Sequence, residues 1–398
     1  MSRPIKHLKI SGYKSLKNVE HKLKNLNVLI GANGVGKSNL VSYFRLLSAI
    51  LDRKLQIFVS QQGGAERLLC DGIKYTDAIS TEVYFGNNGY LLTLKPTVNG
   101  ELYFEEERTY FAGNFTSRKL LGSGHTEALL PKYVKEKDPI SMYCYDAIKK
   151  WRIYHFHDTS DTAAVKRACS VHDNAYLRPS AENLAAFLYE MREKNELHYK
   201  KIVKVIGLAI PYFDDFVLEP KELPTGEEQL RLIWKQKDSD YKLWPSQLSD
   251  GSLRFICLAT ALLQPDPPTT IIIDEPELGL HPYAITLLGG LLKSASERMQ
   301  VIISTQSVPL VDQFELEDLI IVERDKDGTK FKKLEIQEYE GWLEDYSTGE
   351  LWEKNTMRWS HTARYEFILS VKVKQKKPLL MKFLCLILAV KEFIYIQL

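Results

Sequence analysis

Residues 31–38 read Gly-Ala-Asn-Gly-Val-Gly-Lys-Ser, and this unbroken Gly-x-x-x-x-Gly-Lys-Ser motif limits the possible folds more than any other stretch. Such a loop works only between a buried strand and a helix. Leu26 to Ile30 is an apolar run that predicts the strand, and Leu40, Tyr43, Phe44, Leu47 and Ile50 recur at the spacing of one helix face. Gly31, Gly34 and Gly36 let the backbone turn its N–H groups inward, and a helix starting near Lys37 adds its positive end, so the loop suits phosphate oxygens. Lys37 would reach β/γ-phosphates and Ser38 would bind Mg²⁺, with Asn33 and Asn39 as further candidate binding residues.

At 398 residues and 44% hydrophobic content the chain can bury a sizeable core, enough for one large α/β domain with an insertion or for two domains. The five cysteines, Cys70, Cys144, Cys169, Cys257 and Cys385, form no Cys-x-x-Cys pair, so a reducing compartment is expected. The opening Met-Ser-Arg-Pro-Ile-Lys has no apolar run of signal-peptide type, and a cytoplasmic location is expected. The net charge of +2 is unevenly placed: residues 356–398 carry eight Lys/Arg against two acids, leaving 45 basic and 49 acidic residues in the remainder. A body of that sign does not advertise nucleic acid binding, so any DNA contact needs a local patch.

A phosphate loop alone could serve a kinase, a GTPase or a transport ATPase, and partner motifs decide. Thr270 to Asp274 is a β-branched apolar run bounded by Pro267-Pro268 and Pro276, which reads as a central parallel strand. Asp274 emerges at its C-terminal end, where open α/β sheets bind ligands. There it would hold a metal through the metal's water shell, while Glu275 could polarise an attacking water. The plainer alternative is a strand ending in an acidic turn. Upstream, Leu248-Ser249-Asp250-Gly251-Ser252-Leu253-Arg254 leads into an apolar helix containing Phe255, Leu258, Ala259 and Leu262. Ser249 fits a helix N-cap and Gly251 leaves backbone room beside a phosphate. Taken alone, this is a capped helix start.

Together, residues 31–38, 248–254, the run Ile-Ile-Ile-Asp-Glu-Pro-Glu-Leu-Gly-Leu-His-Pro at 271–282 and Val-Ile-Ile-Ser-Thr-Gln-Ser at 301–307 resemble the RecF/SMC-like branch of the ABC-type ATPases. More closely, they resemble the stand-alone ATPases with an AAA-type core, or RecF-like proteins. Ile5 to Ile10 with Tyr13-Lys14-Ser15-Leu16 is similar to that branch's first strand, and Trp151 to Phe187 resembles the closer subfamily. The likeness covers residues 4 to about 355. It implies an α/β fold, a P-loop NTPase of ABC/SMC-head type with a β-rich lobe and an inserted helical lobe. The ATPase core would comprise 1–60 and 246–355, the inserted lobe 61–245, and a basic-apolar tail 356–398. The resemblance also implies ATP and Mg²⁺ as cofactors and a head-to-tail homodimer. Ser249 and Gly251 of one subunit would close over the γ-phosphate held by the other's 31–38 loop, and Pro276 to Pro282 would cross the interface. His281 would pack there, against a catalytic alternative.

Gln306 stands where many ABC-type ATPases place a switch histidine. Glutamine can still donate to a γ-phosphate and orient a water, so Gln306 joins Glu275 as a candidate catalytic residue. No metal-contacting Q-loop glutamine is obvious, because Gln61 and Gln62 follow the first helix too closely.

From Ser38 to Leu248 no heptad is sustained, and the span is too short for a long coiled-coil arm. Residues 79–110 predict strands with turns at 86–89 and 99–100, and 112–125 a mobile Gly/Ser-rich loop. Residues 180–206 predict a helix with Ser180 as cap, and 213–241 strands around a Pro-Thr-Gly-Glu turn. His155, His157, Asp158, His172 and Asp173 leave three readings open: a metal site, a polar network near the nucleotide, or structural hydrogen bonding. In the tail, Leu379 to Val390 is interrupted by Lys382 and is too short and charged for a membrane span. A membrane-surface anchor, a partner-binding helix and a frameshift extension remain as alternatives.

These features lead to an expected ATP-driven dimerisation switch in DNA repair or defence against foreign DNA. Its partner would be duplex or gapped DNA gripped directly. Alternatively, the chain regulates a separately encoded nuclease or toxin without DNA contacts of its own.

Overall fold

The computed structural model describes residues 3–335, 337, 339–354 and 357. The chain opens with β1 (His7–Tyr13), β2 (Leu16–Lys22), β3 (Leu26–Ile30), α1 (Lys37–Leu51), α2 (Leu55–Gln61) and α3 (Ala65–Leu68). Four strands follow: β4 (Ile79–Phe85), β5 (Asn88–Pro96), β6 (Leu102–Ala112) and β7 (Thr116–Gly122). Along β4, Ile79, Thr81, Val83 and Phe85 are buried while Ser80, Glu82 and Tyr84 are half-buried, the period-two pattern of a strand with one face on a core. An antiparallel sheet forms in the order β2-β1-β4-β5-β6-β7.

The loop expected at 112–125 is replaced by β7, which pairs with β6 from Thr116 to Gly122. As an edge strand β7 leaves Thr116, Arg118 and Leu120 exposed. Edge pairing draws on backbone groups alone, so its polar sequence carried no apolar alternation to read. Helix α1 buries Leu40, Tyr43, Phe44, Leu47 and Ile50. These residues share one apolar cluster with Ile10, Val83 and Leu92 of the antiparallel sheet and with Ile272 and Ile302. Each such side chain contributes roughly 1.5–3 kcal/mol by burial, and together they fix where the helix lies.

The middle of the chain holds α4 (Leu130–Lys135), α5 (Pro139–Lys149), β8 (Trp151–Tyr154), β9 (Cys169–Ser170), α6 (Leu184–Lys194) and α7 (Glu196–Ala209). After them come β10 (Phe213–Val217), β11 (Lys221–Glu222), β12 (Glu228–Leu230), β13 (Ile233–Gln236) and β14 (Lys242–Leu243), in two small sheets ordered β10-β13-β14 and β11-β12-β9. The single helix expected over 180–206 is two, α6 and α7, separated at Asn195, and Ser180 caps neither. Ala181 takes a left-handed φ of 58°. Asn183 accepts from the Arg178 N–H at 2.9 Å and donates to the Asp173 and Tyr176 carbonyls at 2.7 and 2.8 Å. This tie holds the approach to α6 out of helix until Leu184.

The last third supplies α8 (Asp250–Leu263), β15 (Thr270–Asp274), α9 (Pro282–Ser296), β16 (Gln300–Thr305), α10 (Val308–Val311), β17 (Leu319–Asp325) and β18 (Gly328–Lys333). Its sheet runs β18-β17-β3-β16-β15-β8, all parallel except β18. Strands β3 and β16 are buried at every residue, as central parallel strands covered on both faces must be. Every residue of α8 from Leu253 to Leu263 is also buried. The two sheets do not part at residues 60 and 245: β8 forms an edge of the parallel sheet, whereas β1 and β2 belong to the antiparallel one.

A compact unit ends at Leu334 and a second begins at Glu335. The second holds α11 (Glu340–Leu343) and α12 (Thr348–Glu353), the latter started by a Ser347/Glu350 capping box. The basic-apolar tail of 356–398 lies outside the described residues except for Met357. Among the described residues no helix is long and apolar enough to cross a membrane.

On β2, burial, helped by the charges of Lys333 and His7, pushes the His21 imidazole from 6.5 down to about 4. The ring is neutral in the fold but gains a proton near 6.5 once unfolded, so acid favours the unfolded chain. Melting temperature is expected to fall as the pH drops from 6.5 towards 4, and His21→Gln should flatten that part of the profile.

Candidate functional site

Parallel register brings three chain segments to one edge of the sheet. Asp274 at the end of β15 is level with Ser304 on β16, and Ser304 with Leu29 on β3. The loop after β3, the acidic turn after β15 and Gln306 after β16 therefore leave the same C-terminal edge.

In the 31–38 loop, Gly36 takes a φ of 113° immediately before α1. A Cβ there would run into the Thr329 hydroxyl, so both the left-handed backbone and the close approach of β18 require glycine. The N–H groups of residues 33–37 make no hydrogen bond among the described residues, and α1 adds its positive end. Lys37 is 6% exposed and donates to the Gly31 and Ala32 carbonyls at 2.6 and 3.0 Å. Its third ammonium proton is left for an anion. Burial lowers the Lys37 pKa, while Glu275, Asp274 and Glu277 pull it back up. Ser38 is exposed and its hydroxyl has no partner among the described residues. Unpaired donors, a cation and a free hydroxyl in one loop fit a phosphate chain and its metal.

A second layer braces this loop. Asn39 donates to the Ser15 hydroxyl at 2.7 Å, the Ser15 and Thr329 hydroxyls lie 2.7 Å apart, and Thr329 donates to the Val35 carbonyl at 2.7 Å. The Asn39 amide is thus spent on the brace. Ser15 and Thr329 carried no signal of this role in the sequence, because they lie 314 positions apart.

At the acidic turn, Asp274 accepts a short hydrogen bond from Ser304, and its carbonyl is 2.8 Å from His157 Nε2. Glu275 has a left-handed φ of 43° and donates its N–H to the Ser304 carbonyl at 2.9 Å. Such a backbone for a side-chain-bearing residue costs of order 1–3 kcal/mol and is typical of functional sites. Gln306 Nε2 donates to Glu275 Oε1 at 2.7 Å and to Asn33 Oδ1 at 2.5 Å, which ties the acidic turn to the phosphate-type loop. Glu277 accepts from the Thr305 hydroxyl at 2.5 Å, its other oxygen is buried without a partner, and burial raises its pKa.

Ser249 caps α8, accepting from Ser252 N–H at 3.2 Å. Among the described residues no hydrogen bond links 249–252 to 31–39. Gly251 packs against the Gly279 carbonyl, where a Cβ would collide, so its small size serves contact with its own chain's 276–282 turn. His281 caps α9, its Nδ1 accepting from Tyr283 N–H at 3.4 Å. Gln62 accepts from Lys14 Nζ at 3.1 Å, and Gln61 ends α2 exposed.

His155 and His157 stack at 4.3 Å beside β15, and burial lowers the His155 pKa. Asp173 is engaged by Arg178 at 2.9 Å. Among the described residues no group of three or more His, Cys, Asp or Glu could hold a metal, so the five residues do not gather as a metal site and His157 instead joins the polar network at Asp274.

Residues 26–312 match the family described as "AAA domain, putative AbiEii toxin, Type IV TA system", and the chain belongs to that family. None of the curated proteins matches it. Among solved structures it is similar to an SMC head bound to the C-terminal winged-helix domain of ScpA, with a TM-score of 0.57 at 15% identity over 85% of this chain and 99% of that one. It is also similar to a Pyrococcus furiosus SMC head with an extended coiled coil, with a TM-score of 0.54 at 15% identity over 86% and 99%. The fold is that of an SMC head domain.

Thr329→Val keeps the shape of the brace and removes its hydroxyl. It should cost about 1–2 kcal/mol of stability and weaken nucleotide binding, measured by thermal melting with and without ATP.

Proposed function

We propose that this chain binds ATP with Mg²⁺ between two copies of itself, hydrolyses it, and uses the cycle as a switch. The observation that carries the reading is the division of polar groups. Asn33 and Lys37 of the 31–38 loop meet Asp274, Glu275 and Gln306 at one sheet edge, while Ser249 stands exposed on a separate capped turn.

Within the pocket, the loop N–H groups and Lys37 would hold the phosphates, and Ser38 and Asp274 would hold Mg²⁺. When bound, that ion supplies charge neutralisation at the β- and γ-phosphates. Glu275 would orient and deprotonate water, steadied by Gln306, which can donate but cannot become a cation. Ser249 and Gly251 would seal the pocket of the partner copy.

The client is read from two observations. An excess of acids over residues 1–355 argues against a broad DNA-binding face, and the family description names a toxin of a Type IV toxin–antitoxin system. The acidic excess favours regulation of a separately encoded nuclease or toxin over direct gripping of DNA, and the family description favours a role in defence over one in repair. ATP-dependent, salt-sensitive binding of duplex or gapped DNA by the isolated chain would reverse that preference.

Glu275→Gln should lower hydrolysis by about 10²–10⁴-fold and accumulate an ATP-bound dimer by light scattering. Hydrolysis at the parent rate would remove Glu275 from the mechanism. Lys37→Ala should abolish nucleotide binding in calorimetry.

A further inference from the structure

Arg254 is a buried cation without a carboxylate. It is 5% exposed, it sits in the otherwise apolar body of α8, and among the described residues no acid forms an ion pair with it. Its guanidinium instead donates to three backbone carbonyls. Nε reaches Phe156 O at 2.8 Å, Nη2 reaches His157 O at 3.1 Å, and Nη1 makes a short bond to Leu278 O.

Two of these carbonyls belong to the loop after β8 and the third to the acidic turn itself. Phe156 and His157 follow β8, and the His157 ring is 2.8 Å from the Asp274 carbonyl. Leu278 donates its N–H to the Glu275 carbonyl at 3.3 Å. Close packing adds a second tie, since Gly251 lies against the Gly279 carbonyl and a Cβ on Gly279 would stand 2.9 Å from Arg254 Nη1. A leucine would fill the same space without the desolvation penalty of a guanidinium. What only a planar fork of donors provides is simultaneous attachment to two loops. Arg254 and Gly251 therefore link the 249–252 turn to the loop after β8 and to the acidic turn that carries Glu275.

We infer that Arg254 is a positioning residue that couples the two ATP sites of the dimer. When the Ser249 turn of one subunit closes over its partner's nucleotide, Arg254 transmits that closure to the same subunit's own Asp274 and Glu275. Hydrolysis at one site then depends on occupancy of the other. The inference rests on the dimer reading above.

The test measures ATP hydrolysis against ATP concentration for the parent, Arg254→Ala and Arg254→Lys. Thermal melting and nucleotide affinity are followed in parallel, and dimerisation is followed in the Glu275→Gln background. The parent should be cooperative, with a Hill coefficient of about 1.5–2. Arg254→Ala should bind nucleotide within about threefold of the parent yet lose about tenfold or more in kcat, with its Hill coefficient at 1. Arg254→Lys, with a point charge in place of the fork, should fall between.

A folded Arg254→Ala protein that stays cooperative, or that changes only in melting temperature, overturns the inference and leaves the dimer intact. Should the alanine variant fail to fold, a lysine variant as cooperative as the parent overturns it equally. Glu275→Gln protein that stays monomeric with ATP removes the dimer reading, and the coupling falls with it.

Discussion

Parallel pairing of β3, β16 and β15 in one register is the constraint on which the site depends. Because Asp274, Ser304 and Leu29 are level across the sheet, loops separated by more than 240 residues leave the same edge within reach of one ligand. Burial of β3 and β16 at every position makes that register expensive to shift, since a slip by one residue would exchange the faces of strands packed on both sides. The phosphate-type loop, the acidic turn and the glutamine that joins them follow from this alignment, not from any local interaction.

Electrostatics then sets the character of the pocket. Lys37 is buried and desolvated but sits among Asp274, Glu275 and Glu277, so its charge is held by acids that also face the space beside the loop. Bringing an anion and a divalent cation together would neutralise both sets of charges, which is a physical reason for nucleotide and metal to bind as a pair. Much of the remaining hydrogen bonding is brace: Ser15, Asn39 and Thr329 secure the loop from behind, and Arg254 secures the acidic turn from below.

The local signals were legible in the sequence. The strand-loop-helix at 26–51, the strand ending at Asp274, the Ser249 cap and the hairpins over 79–110 lie in the structure as their patterns predict. Long-range pairing was not legible. Strand β8 joins the parallel sheet across more than 100 residues, and β7 forms on backbone groups that polar residues do not advertise. The late start of α6 depends on side-chain bonds that tie Asn183 back to Asp173, Tyr176 and Arg178. Within the site, the residue types in the motifs pointed to Lys37, Asp274 and Glu275, but the left-handed backbone of Glu275, the Thr329 brace and the carbonyl cage of Arg254 exist only once distant loops meet.

Complementation between two inactive variants tests most directly whether one nucleotide is held by two copies. Lys37→Ala removes the phosphate grip from one partner, and Ser249→Arg blocks the seal on the other; each should be inactive alone. Mixed with ATP, they should form heterodimers that hold one nucleotide per pair and hydrolyse it at no more than about a quarter of the parental rate, because half of randomly formed pairs are heterodimers, each with one intact site of two, and coupling through Arg254 slows a lone site further. Substantial activity in Ser249→Arg alone, or mixed dimers that hold no nucleotide, would contradict a site shared between subunits.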